Sequence, residues 1–265
     1  MKRPLPFILA ATNNGSMIIN HLDRHDTPQG SYGVGFQFLN YGSFDPEEID
    51  LCINLLKLRR KYYKDNVFAI DCGANIGAHT IKWAIEMHNW GEVLAFEAQE
   101  RIFYALAGNI AINNCFNARA IHAAIGNPEK NQNELEILTP DYTQKSSFGS
   151  LELKSQNSNE FIGQIPQKKE KVPYLQLDNL NFKRLDLIKI DVEGMEQEVI
   201  LGCLNHIKTF KPILQIEIIK SNTQDIINIL ENLEYEIFQS GINILAIYKA
   251  DPVINHLRSS NPHKP

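Results

Sequence analysis

Val67-Phe68-Ala69-Ile70-Asp71-Cys72-Gly73-Ala74-Asn75-Ile76-Gly77 carries an apolar run into Asp-x-Gly-x-Asn-x-Gly. Ile76, Thr80, Trp83, Ala84 and Met87 then recur at helical spacing. The stretch reads as a buried strand, a tight glycine turn and a helix start. Glycine admits positive φ and close approach, and the helix N-terminus offers unpaired N–H groups. In open α/β sheets such a turn lies at the carboxyl ends of the strands, where nucleotide-like cofactors bind. Two details argue against a dinucleotide. The middle glycine of Gly-x-Gly-x-x-Gly, which admits a pyrophosphate, is replaced by Asn75. Asp71 precedes the glycines, where a carboxylate repels phosphate and attracts a cation. S-adenosylmethionine carries an ammonium group, a sulfonium and no phosphate, so it fits better on charge.

Working outward, Gly91 is expected to end the helix, and Val93-Leu94-Ala95-Phe96 forms a second strand ending in Glu97 and Ala98. Glu97 lies 26 positions after Asp71, near the ~20-residue offset at which a carboxylate meets a ribose diol. Alone, Glu97 would read as a solvated strand-end acid; in register with the glycine turn the ribose reading is preferred. Ile102, Phe103, Leu106 and Ile110 mark a second helix, and Ala120–Gly126 a third strand whose small end, Ala123-Ala124, leaves room for a flat ring. Val172–Asp178 restores order, and Leu185–Asp191 is a fourth strand ending in acids. One helix with Val199, Ile200, Leu204 and Ile207 follows. Lys189 inside that strand needs a buried partner, for which Glu217 in the strand Ile213–Ile218 is expected, unless the lysine reaches out at a sheet edge. A helix with Ile226, Ile227, Leu230 and Leu233 precedes two closing strands near 236–238 and 244–248, the last antiparallel. This alternation is that of a parallel sheet with helices on both faces.

The flanks read differently. Residues 1–65 are expected to pack on the core as short strands, among them Met17-Ile18-Ile19, and a helix. Gly30, Gly33 and Gly35 mark turns, and Asp45-Pro46-Glu47-Glu48 starts the helix as cap, proline and first-turn acids. His21–Asp26 has metal-ligand residue types but no recognisable spacing, and reads as a polar loop; no metal site is expected. The polar insertion 127–172 is either a lid or a flexible loop, with a weak hairpin at 135–138, a candidate binding loop at 146–150 and a solvated loop at Lys168–Lys171. Residues 251–265 read as a polar tail.

The 265 residues carry 26 basic and 31 acidic side chains, net −5, so no nucleic-acid footprint is expected. No stretch reaches the ~18 apolar residues of a membrane span. The N-terminal Lys2-Arg3 and Leu5–Ala11 resemble a secretory signal only faintly, and a first strand is the better reading. Four scattered cysteines read as reduced thiols in a cytoplasmic protein.

Asp71–Gly77, Phe96-Glu97-Ala98 and Leu187-Ile188-Lys189-Ile190-Asp191-Val192-Glu193-Gly194-Met195-Glu196, with Leu177-Asp178, Pro212 and Glu217, resemble the FkbM-type methyltransferases over roughly residues 66–220. The resemblance implies a Rossmann-like, doubly wound, mostly parallel seven-stranded sheet with an antiparallel last strand, in a methyltransferase domain over residues 66–250. It implies S-adenosylmethionine-dependent O-methylation of a hydroxyl on a sugar or secondary metabolite, hence a small-molecule or glycan acceptor; a homodimer is compatible with it. Asp71, Gly73, Asn75 and Gly77 would surround the methionine portion, with Thr80 and His79 toward the sulfonium. Glu97 would meet the ribose, Ala123 and Ala124 the adenine, and Ala98 would also line the cofactor site. Asp191 would orient substrate or the cofactor ammonium, and Glu193 or Glu217 would act as base; these acids could instead only organise a helix start. A protein or peptide N-methyltransferase and a noncatalytic cofactor-fold module are the alternatives.

Overall fold

The computed structural model describes residues 3–153 and 161–260. The chain opens with an antiparallel hairpin, β1 (Phe7–Thr12) and β2 (Gly15–Asn20), then a second, β3 (His25–Thr27) and β4 (Gly30–Tyr32). Helix α1 (Val34–Tyr41) follows where the sequence predicted a turn: Gly35 is helical, tucked so closely that a Cβ would lie 2.2 Å from Asn20 O. Helix α2 (Pro46–Tyr63) begins at the predicted proline. Asp45, however, is left-handed at φ 33 and its side chain makes no capping bond. It lines a cavity instead.

From β5 (Val67–Cys72) the predicted alternation appears: α3 (Ala78–Glu86), β6 (Gly91–Glu97), α4 (Glu100–Ile112) and β7 (Ala118–His122). Gly91 opens β6 rather than ending α3; the helix stops at Glu86. The expected third strand is split. It leaves the main sheet after His122, and β8 (Ala124–Ile125) joins a smaller sheet with β9 (Glu134–Thr139) and β10 (Lys168–Leu175). The predicted hairpin is thus β9 with β10, and Lys168–Lys171 is strand rather than loop. Its lysines stay exposed and pair across the ladder, Lys169 with Glu136 at 2.6 Å and Lys171 with Glu134 at 3.4 Å.

After β11 (Leu187–Ile190) the expected single helix breaks at Gly202-Cys203 into α5 (Glu196–Leu201) and α6 (Leu204–Phe210). A Cβ on Gly202 would meet Gly126 O at 2.0 Å. Then come β12 (Ile213–Glu217), α7 (Thr223–Asn232), β13 (Tyr235–Ser240), β14 (Asn243–Tyr248) and α8 (Ile254–Ser260). Part of the predicted polar tail therefore packs: Val253 and Ile254 are buried, and Asp251 is buried against Arg59 of α2. Arg59 also donates from Nε to Asp186 Oδ1 at 3.0 Å, joining α2 to the entrance of β11. Residues 154–160 of the insertion and 261–265 of the tail lie outside the described residues, as do residues 1–2.

The seven-stranded sheet runs β13-β14-β12-β11-β5-β6-β7, all parallel except β14, which pairs antiparallel with both neighbours. Successive strand residues serve opposite cores. Val67, Ala69 and Leu187 pack with Leu55, Leu56, Ile81 and Trp83 of α2 and α3. Ile70, Ile188 and Ile190 pack with Val199, Ile207, Ile226 and Leu230 of α5, α6 and α7. The chain winds outward from β5 in one direction and from β11 in the other. The crevice between those two strands is the switch point at which doubly wound sheets bind ligands. Among the described residues no helix is long and apolar enough to cross a membrane, and the four cysteines are buried and unbridged.

Candidate active site

The glycine turn is built by backbone needs. Gly73 has φ +77, and a Cβ there would stand 1.7 Å from the carbonyl oxygen of Asp191. The close approach that requires glycine is thus to the neighbouring strand's end. Asn75 takes φ 49, a left-handed turn that Asn tolerates, and Gly77 takes the N-cap of α3 at φ 94. The turn presents the Asn75 N–H to Glu97 Oε2 at 2.9 Å, while the Gln99 N–H reaches Glu97 Oε1 at 2.8 Å. Asn109 of α4 holds the turn from behind, donating to Ile76 O at 2.8 Å.

A cavity of about 390 Å³ lies over the crevice, within the range of ligand sites. Its floor is the turn (Gly73, Ala74, Asn75) and the ends of β6 (Glu97, Ala98, Gln99), β7–β8 (Ala123, Ala124), β11 (Lys189, Asp191, Glu193) and β12 (Glu217). The sequence-predicted Gly73, Asn75, Glu97, Ala98, Ala123, Ala124, Asp191, Glu193 and Glu217 thus share one cavity, and His79 joins them. Asp71, Gly77 and Thr80 lie beneath it. Asp71 is fully buried and accepts from Thr80 Oγ1 at 2.6 Å. Gly77 faces Leu106.

The roof comes from the flanks: Tyr32, Val34 and Gln37 around α1, Asp45 before α2, and Ser147, Gly149 and Ser150 of the insertion. The sequence singled out 146–150; it gave no sign of Gln37 or Gln99. Asp23, in the stretch read as a polar loop, ties the roof together. It is buried and accepts from the Gly35 N–H at 3.1 Å and the Phe148 N–H at 2.9 Å. Burial nonetheless pushes its carboxyl up to about 6.

Charge gathers at the far end. Lys189 pairs with Asp191 at 2.9 Å and lies 3.9 Å from Asp71, not with the expected Glu217. The register explains this: Lys189 stands opposite Asp71 on β5 and Gln215 on β12, and Asp191 is its same-face neighbour. Burial disfavours the ammonium, but Asp191, Asp71 and Glu48 outweigh it and raise the lysine. Glu193, left-handed at φ 54, pairs with Lys220 at 2.6 Å, and Lys220 also donates to Ser150 O at 2.7 Å. Glu196 fastens that turn by accepting the Val192 and Gly194 N–H groups, both at 3.1 Å. Oxygens of Asp191, Glu193 and Glu217 lie within 4.8 Å of one another. Three carboxylates so close could also close on a cation, yet two already have an ammonium each. Burial and then Asp191 push Glu193 up to about 8 and Glu217 to about 9. Burial above all, with Asp191 and Asp71 adding to it, pushes Glu97 to about 7 against its two backbone hydrogen bonds. His79 Nε2 lies 3.3 Å from Glu48 Oε1.

A family model described as "Methyltransferase FkbM domain" matches residues 71–237. "Methyltransferase 1" of Beauveria bassiana (strain ARSEF 2860) is 25% identical over 154 residues, covering 53% of this chain and 59% of that protein. The chain thus spans less than two thirds of the length of that curated relative. Among solved structures, methyltransferase FkbM from Methylobacillus flagellatus KT superposes with a TM-score of 0.46 at 16% identity, over 69% of this chain and 43% of that one. The precorrin-6Y C5,15-methyltransferase of Geobacter metallireducens GS-15 gives 0.44 at 16% identity, over 76% and 86%.

Proposed function

This chain belongs to the FkbM methyltransferase family, and from that premise we propose that it transfers the methyl group of S-adenosylmethionine to a hydroxyl oxygen of a sugar or secondary metabolite. The observation that carries the proposal is the polarity of the cavity. One end has small alanines and a carboxylate whose two oxygens are fixed by backbone N–H groups. The other has three carboxylates around the ends of β11 and β12.

The residues fit the methyl donor. Ala98, Ala123 and Ala124 leave room for a planar ring. Glu97 keeps a lone pair on each oxygen for a vicinal diol. Asp191 and its neighbours favour a cation and disfavour a phosphate. When bound, S-adenosylmethionine supplies a methyl carbon already activated for displacement. The protein's remaining tasks are alignment and removal of the hydroxyl proton. Asp191, held by Lys189, orients. Glu193 and Glu217, whose oxygens lie within 4.8 Å of Asp191, are the candidate proton acceptors. Asp71 and Thr80 act from below, fixing the strand end that carries the turn.

Calorimetric titration with S-adenosylmethionine, followed by turnover assays on hydroxylated acceptors reading S-adenosylhomocysteine release, tests this reading. Binding with turnover lost by at least ~10-fold in Asp191→Asn and Glu217→Gln is expected. Absence of binding, or full turnover in Asp191→Asn, Glu193→Gln and Glu217→Gln alike, overturns it.

A further inference from the structure

Three carboxylates share the end of the cavity beside β11 and β12, and two cations answer them. Lys189 is paired to Asp191 and Lys220 to Glu193, while Glu217, among the described residues, has no ion pair. Resting on the methyltransferase reading, we propose that Glu217 is the general base, that it is protonated in the free site, and that it gives up its proton when the cationic methyl donor enters.

The charged groups acting on Glu217 are Lys189 on β11, Asp191 just after it, and Glu193 and Glu196 beyond, while Lys220 after β12 answers Glu193. Two like charges within 4.8 Å, each already neutralised by its own lysine, leave Glu217 no cation of its own. A third buried negative charge is costly there, and a proton removes the cost. Burial, Asp191 and Glu193 accordingly push its carboxyl up to about 9. A unit positive charge within about 5 Å lowers a carboxyl pKa by about two at an effective dielectric near 20. The site thus exchanges a proton for a cation. Glu217 becomes a carboxylate only when there is a methyl group to transfer. In the transfer an O–C bond forms and the C–S bond breaks, its electron pair staying on sulfur, while the hydroxyl proton moves to Glu217. The sulfur product is neutral, so Glu217 remains protonated, which is the resting state.

S-adenosylmethionine and S-adenosylhomocysteine differ by this charge and one methyl, so proton release on binding isolates the effect without an acceptor. Each is titrated calorimetrically into the whole protein at about pH 8, in buffers of different ionisation enthalpy. Roughly half to one proton more should be released with S-adenosylmethionine than with S-adenosylhomocysteine. Glu217→Gln should abolish that difference while S-adenosylhomocysteine still binds, and Glu193→Gln should retain it. Equal release by both ligands overturns the proposal and leaves the methyltransferase reading standing. Loss of the difference in Glu193→Gln but not in Glu217→Gln overturns the assignment to Glu217. Binding of neither ligand overturns both.

Discussion

Glu97 accepts the Asn75 N–H on one oxygen and the Gln99 N–H on the other. Each oxygen keeps one acceptor position for a ligand hydroxyl. That arrangement needs both oxygens. A glutamine retains one and turns an NH2 group toward a backbone donor. Glu97→Gln should therefore weaken S-adenosylhomocysteine binding by about 10- to 100-fold, the worth of one charge-assisted hydrogen bond and one mismatched donor. Affinity within twofold of wild type by calorimetry would sink the ribose assignment. The position of Glu97 was legible because it is local: a strand end at the right offset from a glycine turn. The reason for Gly73 was not. Its missing Cβ makes room for Asp191 O, a contact across 118 residues of sequence that only strand register creates.

At the scale of elements, the strand–helix alternation after residue 66 was readable because each buried strand is a continuous apolar run and each helix carries an apolar stripe. Before it the signals mislead. Gly33 and Gly35 announce turns, yet Gly35 is helical because only a residue without a side chain fits under Asn20 O. The acidic and histidine residues at 21–26 look like ligands or a loop, yet Asp23 is a clamp whose partners lie 12 and 125 residues away. It couples α1 to the insertion, and Gln99 adds a second tie by donating to Phe148 O at 2.9 Å. Asp23→Ala would leave two buried N–H groups without acceptors, each costing about 1–3 kcal/mol. The roof should open first, since it is held by these few bonds. Hydrogen exchange at the Gly35 and Phe148 amides should accelerate by at least ~10-fold, with S-adenosylhomocysteine affinity falling about as much. Unchanged exchange at both amides would show that the roof stands without Asp23.

For the whole molecule, the cavity's acids set the pH dependence of stability. Glu97, Glu193 and Glu217 are raised from 4.5 to about 7, 8 and 9, burial being the largest cause in each. Between pH 4.5 and 9 the folded chain therefore binds more protons than the unfolded one, and linkage makes stability fall as pH rises through that window. The stabilisation from these groups is complete below their unfolded values and lost as each folded value is passed. Glu48, lowered through His79 despite burial, acts in the opposite sense: its contribution is present above its unfolded value and lost in acid. The two trends place maximum stability on the acid side of neutrality. Because the cavity is open to water, the fall from pH 5 to 9 should be about 2–4 kcal/mol rather than the full sum of the shifts. That corresponds to roughly 5–15 °C in melting temperature. Glu217→Gln removes the last group to titrate. It should melt within about 1 °C of wild type at pH 5 and about 2–4 °C above it at pH 9. A wild-type melting temperature that stays level from pH 5 to 9 would show that these carboxylates ionise as freely in the folded cavity as in the unfolded chain.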